Sequence, residues 1–570
     1  MFISTIKKRL LFLSIALGAS IILIFLLFGP IFYSNNILID FAIHPFNICE
    51  KYPDLWNFIK ISYVISFFAT ILIFSNLIYS TIFSKKKLNK NEENPINIID
   101  TSELNLLAGK DENDNLVYVT EKGLYQNILI TGTIGSGKTS SAMYPFTKQL
   151  IEYKADDKKE KLGLLILDVK GNYHKQVEKY CNLFGRQKDL IVLSLDGNIR
   201  YNPLDKPNLK PHIIANRLKT ILTLFSSKNG EQYWLDKVEQ ILTECIKLCR
   251  LYNNGYVTFI EIHKLITIPD YYSSKIFALR NLFLAGKLSK EDCFNLLSSI
   301  EFFEKEFLKL DSRTMAILKS EITRITGCFV SDYQIQKVFC PSKQEINFRG
   351  FRNLINQGKI LVLNMNLAEF KNLSKIIAAY LKLDFQTEVM SRLSYSKNNS
   401  FRSVAFISDE FHEYVTSTDA DFFAQSREAK CINIVTTQSY TSLLNSLDNQ
   451  NTTKAIIQNL VNKFWFRTDD IFTIEDAQKQ LGKEEKVKTS TTISENAKTT
   501  NFNIITKKFN SLDSNLSESI NSYSQFDFIF DTNFFTQKLE IFSALAFIST
   551  GSSIIPPQKI QMIPYFKNIN

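Results

Sequence analysis

The sequence predicts an α/β fold, and three observations carry that prediction. Short apolar runs recur along the chain and end in glycine, amide or carboxylate residues, as buried parallel strands do. One of them, Ile128-Leu-Ile130, leads into Gly132-Thr-Ile-Gly-Ser-Gly-Lys-Thr139, after which Ser140 to Leu150 continues as a helix. Between about Lys206 and Phe329 the period changes: apolar residues fall at helical spacing and strand signals are few, so a helical domain interrupts the sheet.

Residues 1–90 form a separate region. Leu10 to Tyr33 is apolar and uncharged, and Ile61 to Phe83 is a second uncharged run, each long enough to cross about 30 Å of hydrocarbon as a helix. Spans over about 10–33 and 61–83, joined by a short outer loop, are expected. Lys7, Lys8 and Arg9 precede the first run and Lys85, Lys86, Lys87 and Lys90 follow the second, which puts both termini in the cytoplasm. A cleaved signal peptide fits the first run less well, because the run is long and has no small-x-small exit. The net charge of +10 has to be read by position. Nine Lys/Arg against three Asp/Glu lie in residues 1–90, so most of the excess is topology signal and bulk charge says little about nucleic acid. The eight cysteines contain no Cys-x-x-Cys pair, which indicates reduced thiols without a disulfide frame or zinc site. His412-Glu413 lacks the second histidine of a metalloprotease helix.

Residues 91–205 are the first part of the predicted nucleotide-binding domain. A charged linker ends near Asn97, and Thr101 to Glu121 reads as a small antiparallel entry to the sheet. Gly132 to Thr139 fit G-x-x-x-x-G-K-[ST] between strand and helix. The glycines let backbone N–H groups turn inward around a β-phosphate, where side chains would collide. Gly132, Thr133, Ile134, Gly135, Ser136, Gly137, Lys138, Thr139 and Ser140 are therefore the candidate cradle for ATP. Lys138 would bridge the β- and γ-phosphates and Thr139 would ligate Mg²⁺, with the helix N-terminus adding partial positive charge. Leu164 to Leu167 reads as another buried strand; Asp168 and Lys170 after it either meet ligand or form an ordinary polar turn. Leu190 to Leu195 is a third strand, followed by Arg200-Tyr-Asn-Pro-Leu204. Within the inserted all-α domain, residues 206–330, Tyr233 and Trp234 have the chemistry to stack on bases, but their helical spacing beside Leu235 favours packing.

Residues 331–570 return to the sheet pattern with Lys359 to Asn364, then a helix from about Leu373 to Met390. Val404 to Ser408 is an apolar strand ending in Asp409-Glu410. Phosphoryl transfer needs two acids with different tasks at such a place: Asp409 to hold Mg²⁺ and Glu410 to orient and polarise the attacking water. Asp421 to Lys430 reads as a helix carrying Arg427, and Ile432 to Thr437 as a strand ending at Gln438. Gln438 is placed to report on the γ-phosphate, and Arg427 to act as an arginine finger in a neighbouring subunit's site. Phe464 to Arg467 is a further strand, and Glu475 and Asp476 fall in the first turn of a following helix. Glu484 to Phe526, rich in Ser, Thr, Asn and Lys, reads as an extended loop. Phe542 to Ile548 with Ile554-Ile-Pro-Pro557 suggests a closing hairpin.

Taken in order, Gly132 to Thr139, Leu167-Asp-Val-Lys-Gly171, Tyr201-Asn-Pro-Leu204, Ser408-Asp-Glu410, Ser426-Arg427, Thr436-Thr-Gln-Ser439 and Lys463-Phe-Trp-Phe-Arg467 resemble the type IV secretion coupling proteins, the TraG/TraD-like conjugative ATPases. The resemblance spans nearly the whole chain, including the two N-terminal membrane runs. It implies a RecA-like P-loop NTPase core with an inserted all-α domain, anchored in the bacterial inner membrane and assembled as a homo-hexamer around a channel. It also implies that ATP hydrolysis delivers single-stranded DNA bound to a relaxase, or protein effectors, to the inner-membrane components of a type IV secretion system. The roles of Arg427 and Gln438 follow from the same resemblance. An FtsK-like DNA translocase is the alternative motor, though that family usually has four spans and a winged helix. An ABC exporter lacks support because no Leu-Ser-Gly-Gly-Gln-like signature is present. A substrate receptor that uses nucleotide only structurally is the alternative outside enzymes.

Overall fold

In the computed structural model, chain contacts separate Met1–Asp100 from Thr101–Asn570. The structure describes residues 103–168, 170–225, 232–395, 401–496, 502–503, 508–509 and 515–567, together with Ile61, Ile65 and Phe68. Those three residues are helical, and the rest of the two predicted membrane runs lies outside the described residues. Among the described residues no helix is long and apolar enough to cross a membrane.

The second unit is organised on an eleven-stranded sheet in the order β2-β1-β15-β14-β9-β3-β8-β7-β4-β6-β5. The parallel strands are β3 (Ile128–Thr131), β4 (Gly163–Leu167), β5 (Leu190–Leu193), β6 (Ile360–Leu363), β7 (Val404–Ser408), β8 (Cys431–Thr437) and β9 (Asn462–Trp465). On one side they are extended by antiparallel strands: β14 (Ser543–Phe547), β15 (Gln558–Met562), β1 (Leu106–Lys110) and β2 (Leu116–Val119). The parallel strands are apolar at consecutive positions because both faces of the sheet are covered. Leu129, Leu165, Leu167 and Phe406 pack into one core, and Ile128, Ile130, Leu164 and Ile166 into the other. The helix α1 (Tyr144–Glu152), which follows the glycine loop, and α2 (Tyr173–Leu183) cover the second face through Phe146, Leu150, Val177 and Tyr180.

Helices from Pro211–Leu222 to Tyr333–Phe339 occupy the chain between β5 and β6. Their attachment is partly ionic. Asp384, on the long helix Leu367–Tyr395, accepts from Lys206 (2.6 Å) and Arg217 (3.0 Å), with the Tyr201 hydroxyl at 3.1 Å. Burial alone would raise this carboxyl; the two cations outweigh it and hold Asp384 below the usual carboxylate range. Trp234 packs against the larger core, while its neighbour Tyr233 is exposed.

Three local expectations change. Glu484 to Phe526 contains strands: β10 (Lys483–Asn496) pairs antiparallel with β13 (Asn515–Phe528) over 14 residues as a two-stranded ribbon, and the short β11 (Phe502–Asn503) and β12 (Lys508–Phe509) form a second pair. Val487, Ile520 and Phe526 of the ribbon are exposed, so the burial that makes strand alternation legible in sequence is missing there. The helix ahead of β8 ends at Gln425, and Arg427 lies in the turn that follows. The helix Ile471–Leu481 is capped by Asp470, whose side chain accepts from the Thr473 amide, which moves Glu475 and Asp476 out of its first turn.

β9 holds an unusual residue. Lys463 is 3% exposed, and burial pushes its ammonium down to about 8, with Asp476 opposing the shift. An unfolded lysine titrates near ~10.4, so below pH 8 folding carries the cost of a buried cation, and stability rises between pH 8 and about 10 as the folded side chain loses its proton first. Lys463→Met is therefore expected to raise stability at pH 7 by about 1–3 kcal/mol, with the gain shrinking toward pH 10. Thermal melts of both proteins at the two pH values check this; an equal gain at both would contradict it.

Candidate nucleotide site

The site lies at the carboxyl ends of β3, β8, β7 and β4, where an open parallel sheet delivers side chains to ligands. β3 and β7 are not neighbours: β8 runs between them, pairing Thr131 with Thr437 on one side and Ser408 with Val435 on the other. Two strand spacings, about 10 Å, therefore separate the glycine loop's strand from the Asp-Glu strand. Small residues at the β8 tip leave room for the groups from either side to meet over it.

The loop begins at Gly132, where a Cβ would sit 2.6 Å from Phe466 Cβ, and turns again at Gly137, whose φ of +97° disfavours any side chain. Ile134 is 80% exposed at the loop's crest. Lys138 is buried, and its ammonium donates to the carbonyl oxygens of Gly132 and Thr133, the latter at 3.1 Å. Burial lowers its pKa, opposed by Glu410 and Asp409. Ser140 follows at the start of the helical turn Thr139–Met143 that leads into α1.

Thr139 Oγ1 donates to Asp409 Oδ2 at 3.3 Å across the β8 tip. Asp409 is 1% exposed and is held from three sides. Its amide bonds Leu167 O at 3.0 Å, its Oδ1 accepts from Thr436 Oγ1 at 2.7 Å, and Lys170 Nζ lies 3.6 Å from Oδ2. Ser408, the polar interruption in the apolar run, is fully buried and donates to the Tyr414 hydroxyl, which in turn donates to Asp409 O at 2.7 Å. Glu410 sits in the left-handed region at φ 50°, a strained backbone stabilised by its amide bonding Thr436 Oγ1 at 3.1 Å. Burial raises the Glu410 carboxyl and Asp409 raises it further, while Lys138, Lys170 and a hydrogen bond from Gln438 act the other way. Its Oε2 is buried without a hydrogen-bond partner among the described residues; His412 Nδ1, whose protonation burial disfavours, is 3.6 Å away.

Lys138, Thr139, Asp409, Glu410 and Gln438 thus converge, and Gln438 also accepts the Gly132 amide through its backbone carbonyl. Arg427 does not join them. It is exposed ahead of Cys431, at the opposite end of the seven-residue β8, about 20 Å down the strand from Gln438. Asp168 turns out to be structural: its carboxylate accepts from the amides of Lys170, Asn172 and Tyr173 at the start of α2. Lys170 reaches the site. Thr436, whose hydroxyl donates to the Asp409 carboxylate and accepts from the Glu410 amide, has no role assigned from sequence alone, although it stands in the polar run closing β8.

The arrangement is that of a P-loop α/β fold, with a glycine loop and an acidic pair brought together at the strand tips of one sheet. The donor set fits Mg²⁺, a hard cation that keeps several waters and takes few protein ligands. A hydroxyl and a carboxylate oxygen 3.3 Å apart, beside a buried carboxylate oxygen without a partner, are such a set.

Residues 403–521 match the family described as the TraM recognition site of TraD and TraG. The fold is similar to that of the bacterial conjugative coupling protein TrwBdeltaN70 in its unbound monoclinic form, with a TM-score of 0.54 at 12% identity over 80% of this chain and 88% of that one. It is likewise similar to the plasmid coupling protein TrwB in complex with the GTP analogue GDPNP, with a TM-score of 0.52 at 14% identity over 78% and 88%. Among curated protein sequences none matches significantly. The family match and the fold together support a type IV coupling protein, the family that the motifs resemble.

Proposed function

We infer that this chain is a membrane-anchored, hexameric ATPase of the bacterial inner membrane that couples DNA or protein cargo to a type IV secretion channel. The observation that carries the reading is the meeting of Thr139 with Asp409 across β8, beside Lys138 and Glu410. It stands in a fold similar to a conjugative coupling protein and in a chain whose residues 403–521 match the TraD/TraG family.

The residues divide the work. Loop amides from Gly132 to Ser140 bind the phosphates, and Lys138 exchanges the carbonyls of Gly132 and Thr133 for β- and γ-phosphate oxygens. Thr139 and Asp409 would hold Mg²⁺, which when bound neutralises charge on the β- and γ-oxygens. Glu410, with its proton affinity raised by burial, positions the attacking water and accepts its proton. Gln438, beside Glu410 at the tip of β8, registers whether the γ-phosphate is present. Arg427 lies too far from its own site to act there, so its role as a finger requires an adjacent subunit in the ring. Cargo is single-stranded DNA carried by a relaxase, or protein effectors, passed to inner-membrane secretion components.

Steady-state ATP hydrolysis by the full-length chain, with and without single-stranded DNA, tests the motor reading. Stimulation by DNA is expected. Hydrolysis that neither DNA nor a secreted protein alters would count against cargo coupling.

A further inference from the structure

The triphosphate reading leaves the nucleoside unplaced, and the sheet order limits where it can go. On the β8–β7 side of β3 the space beside the loop is taken by Thr436, Asp409, Glu410 and Lys170. The other side belongs to β9, β14 and β15, and chain segments bounding β14 and β15 press aromatic residues against the glycine loop and the helical turn after it.

Phe542, just ahead of β14, is half-buried on the loop. Its amide donates to Ser136 O at 3.2 Å, and a Cβ on Gly137 would lie 2.5 Å from its ring carbon Cδ1. The backbone there is left-handed, at φ 65°, an uncommon conformation for a large side chain. Just past β15, the Tyr565 amide donates to Ser140 O at 2.9 Å, and its ring packs edge-on against Tyr144 at 5.2 Å between centroids. Phe566 follows, 6.0 Å from the Phe542 ring and 5.4 Å from Tyr565. Phe566 is 60% exposed and Tyr565 46% exposed, so apolar ring surface faces water within reach of the phosphate loop. A flat π-face stacked there would cover that surface, as bases do on the aromatic platforms of single-strand binders.

We propose that Phe542, Tyr565 and Phe566 form the platform on which the purine base of the bound nucleotide stacks, joining the C-terminal segment to the nucleotide site. The proposal rests on the triphosphate reading and adds a subsite to it. Equilibrium binding of ATP and of inorganic tripolyphosphate, each with Mg²⁺, to the full-length chain tests it. Phe566→Ala, at an exposed position, is expected to weaken ATP about ten-fold and leave tripolyphosphate binding unchanged. Phe542→Ala is expected to do the same. If both ligands weaken together, the ring only supports the loop, and if ATP affinity does not change, the base lies elsewhere; either result overturns the platform. As a positive readout, Phe566→Trp should retain ATP affinity, and its emission should respond to ATP but not to tripolyphosphate. A response to both would overturn it too. Failure of the parent protein to bind either ligand is a different outcome, and it would remove the triphosphate reading itself.

Discussion

Lys138→Ala is expected to reduce ATP turnover by about 10²–10³-fold or more, the scale seen when one preorganised charge or donor is removed from a transition state. The effect is large because the geometry offers no substitute. Lys138 is buried under the loop with its ammonium already among the carbonyls of Gly132 and Thr133, where it needs only to change acceptors. Lys170, the other nearby cation, lies against Asp409 Oδ2 on the far side of β8 and cannot reach around the loop without giving up that contact. The variant should fold, since alanine removes a buried charge that depends on those carbonyls, and circular dichroism beside the turnover assay separates misfolding from lost chemistry. Turnover at the parent rate by the folded variant would mean that the loop does not hold the reacting phosphates.

Glu410→Gln is the second large effect, with an expected loss of about 10²–10⁴-fold in turnover while ATP still binds. Glutamine keeps the size and one acceptor of the carboxylate but cannot take a proton from water. The substitution also removes a negative charge beside Asp409, which the shifts of both Glu410 and Lys138 show to be felt across the site. Nucleotide affinity should therefore hold or tighten as turnover falls. Parallel loss of affinity and turnover would point to a structural role for Glu410, and an unchanged rate would require another group to activate the water. The left-handed backbone at Glu410, fixed by Thr436, explains why the side chain is held at the strand tip: the turn redirects the chain immediately after Asp409.

Much of this site can be read from the chain itself because its chemistry is local. Ile128 to Met143 carries strand, turn and helix start in one stretch, and Asp409-Glu410 follows its own apolar strand directly. Strand order is not local. That β8 separates β3 from β7 depends on the pairing of Ser408 with Val435, 27 residues on, and of Thr131 with Thr437, 306 residues on, and no periodicity in the sequence reports them. Thr436 escaped for a related reason: a threonine at a strand tip is ordinary until the fold sets a carboxylate beside it. Asp168 shows the reverse case, a carboxylate at the expected place whose oxygens are spent on helix amides. Asp421 to Lys430 reads as one helix because no glycine or proline interrupts it; the helix stops at Gln425, and Arg427 is left at the wrong end of the sheet for its own site. The ribbon of β10 and β13 was illegible because its exposed residues carry no burial pattern.

The central claim is that Thr139 and Asp409, meeting over the tip of β8, complete a pocket for a metal-bound triphosphate. Calorimetric titration of the full-length chain with ATP, in the presence and absence of Mg²⁺, tests it most directly, with Asp409→Asn measured alongside. Saturable binding that strengthens with Mg²⁺ in the parent, and loses most of that dependence in the variant, is the predicted result. Binding of equal strength with and without Mg²⁺, or a variant that keeps the full metal dependence, would contradict it.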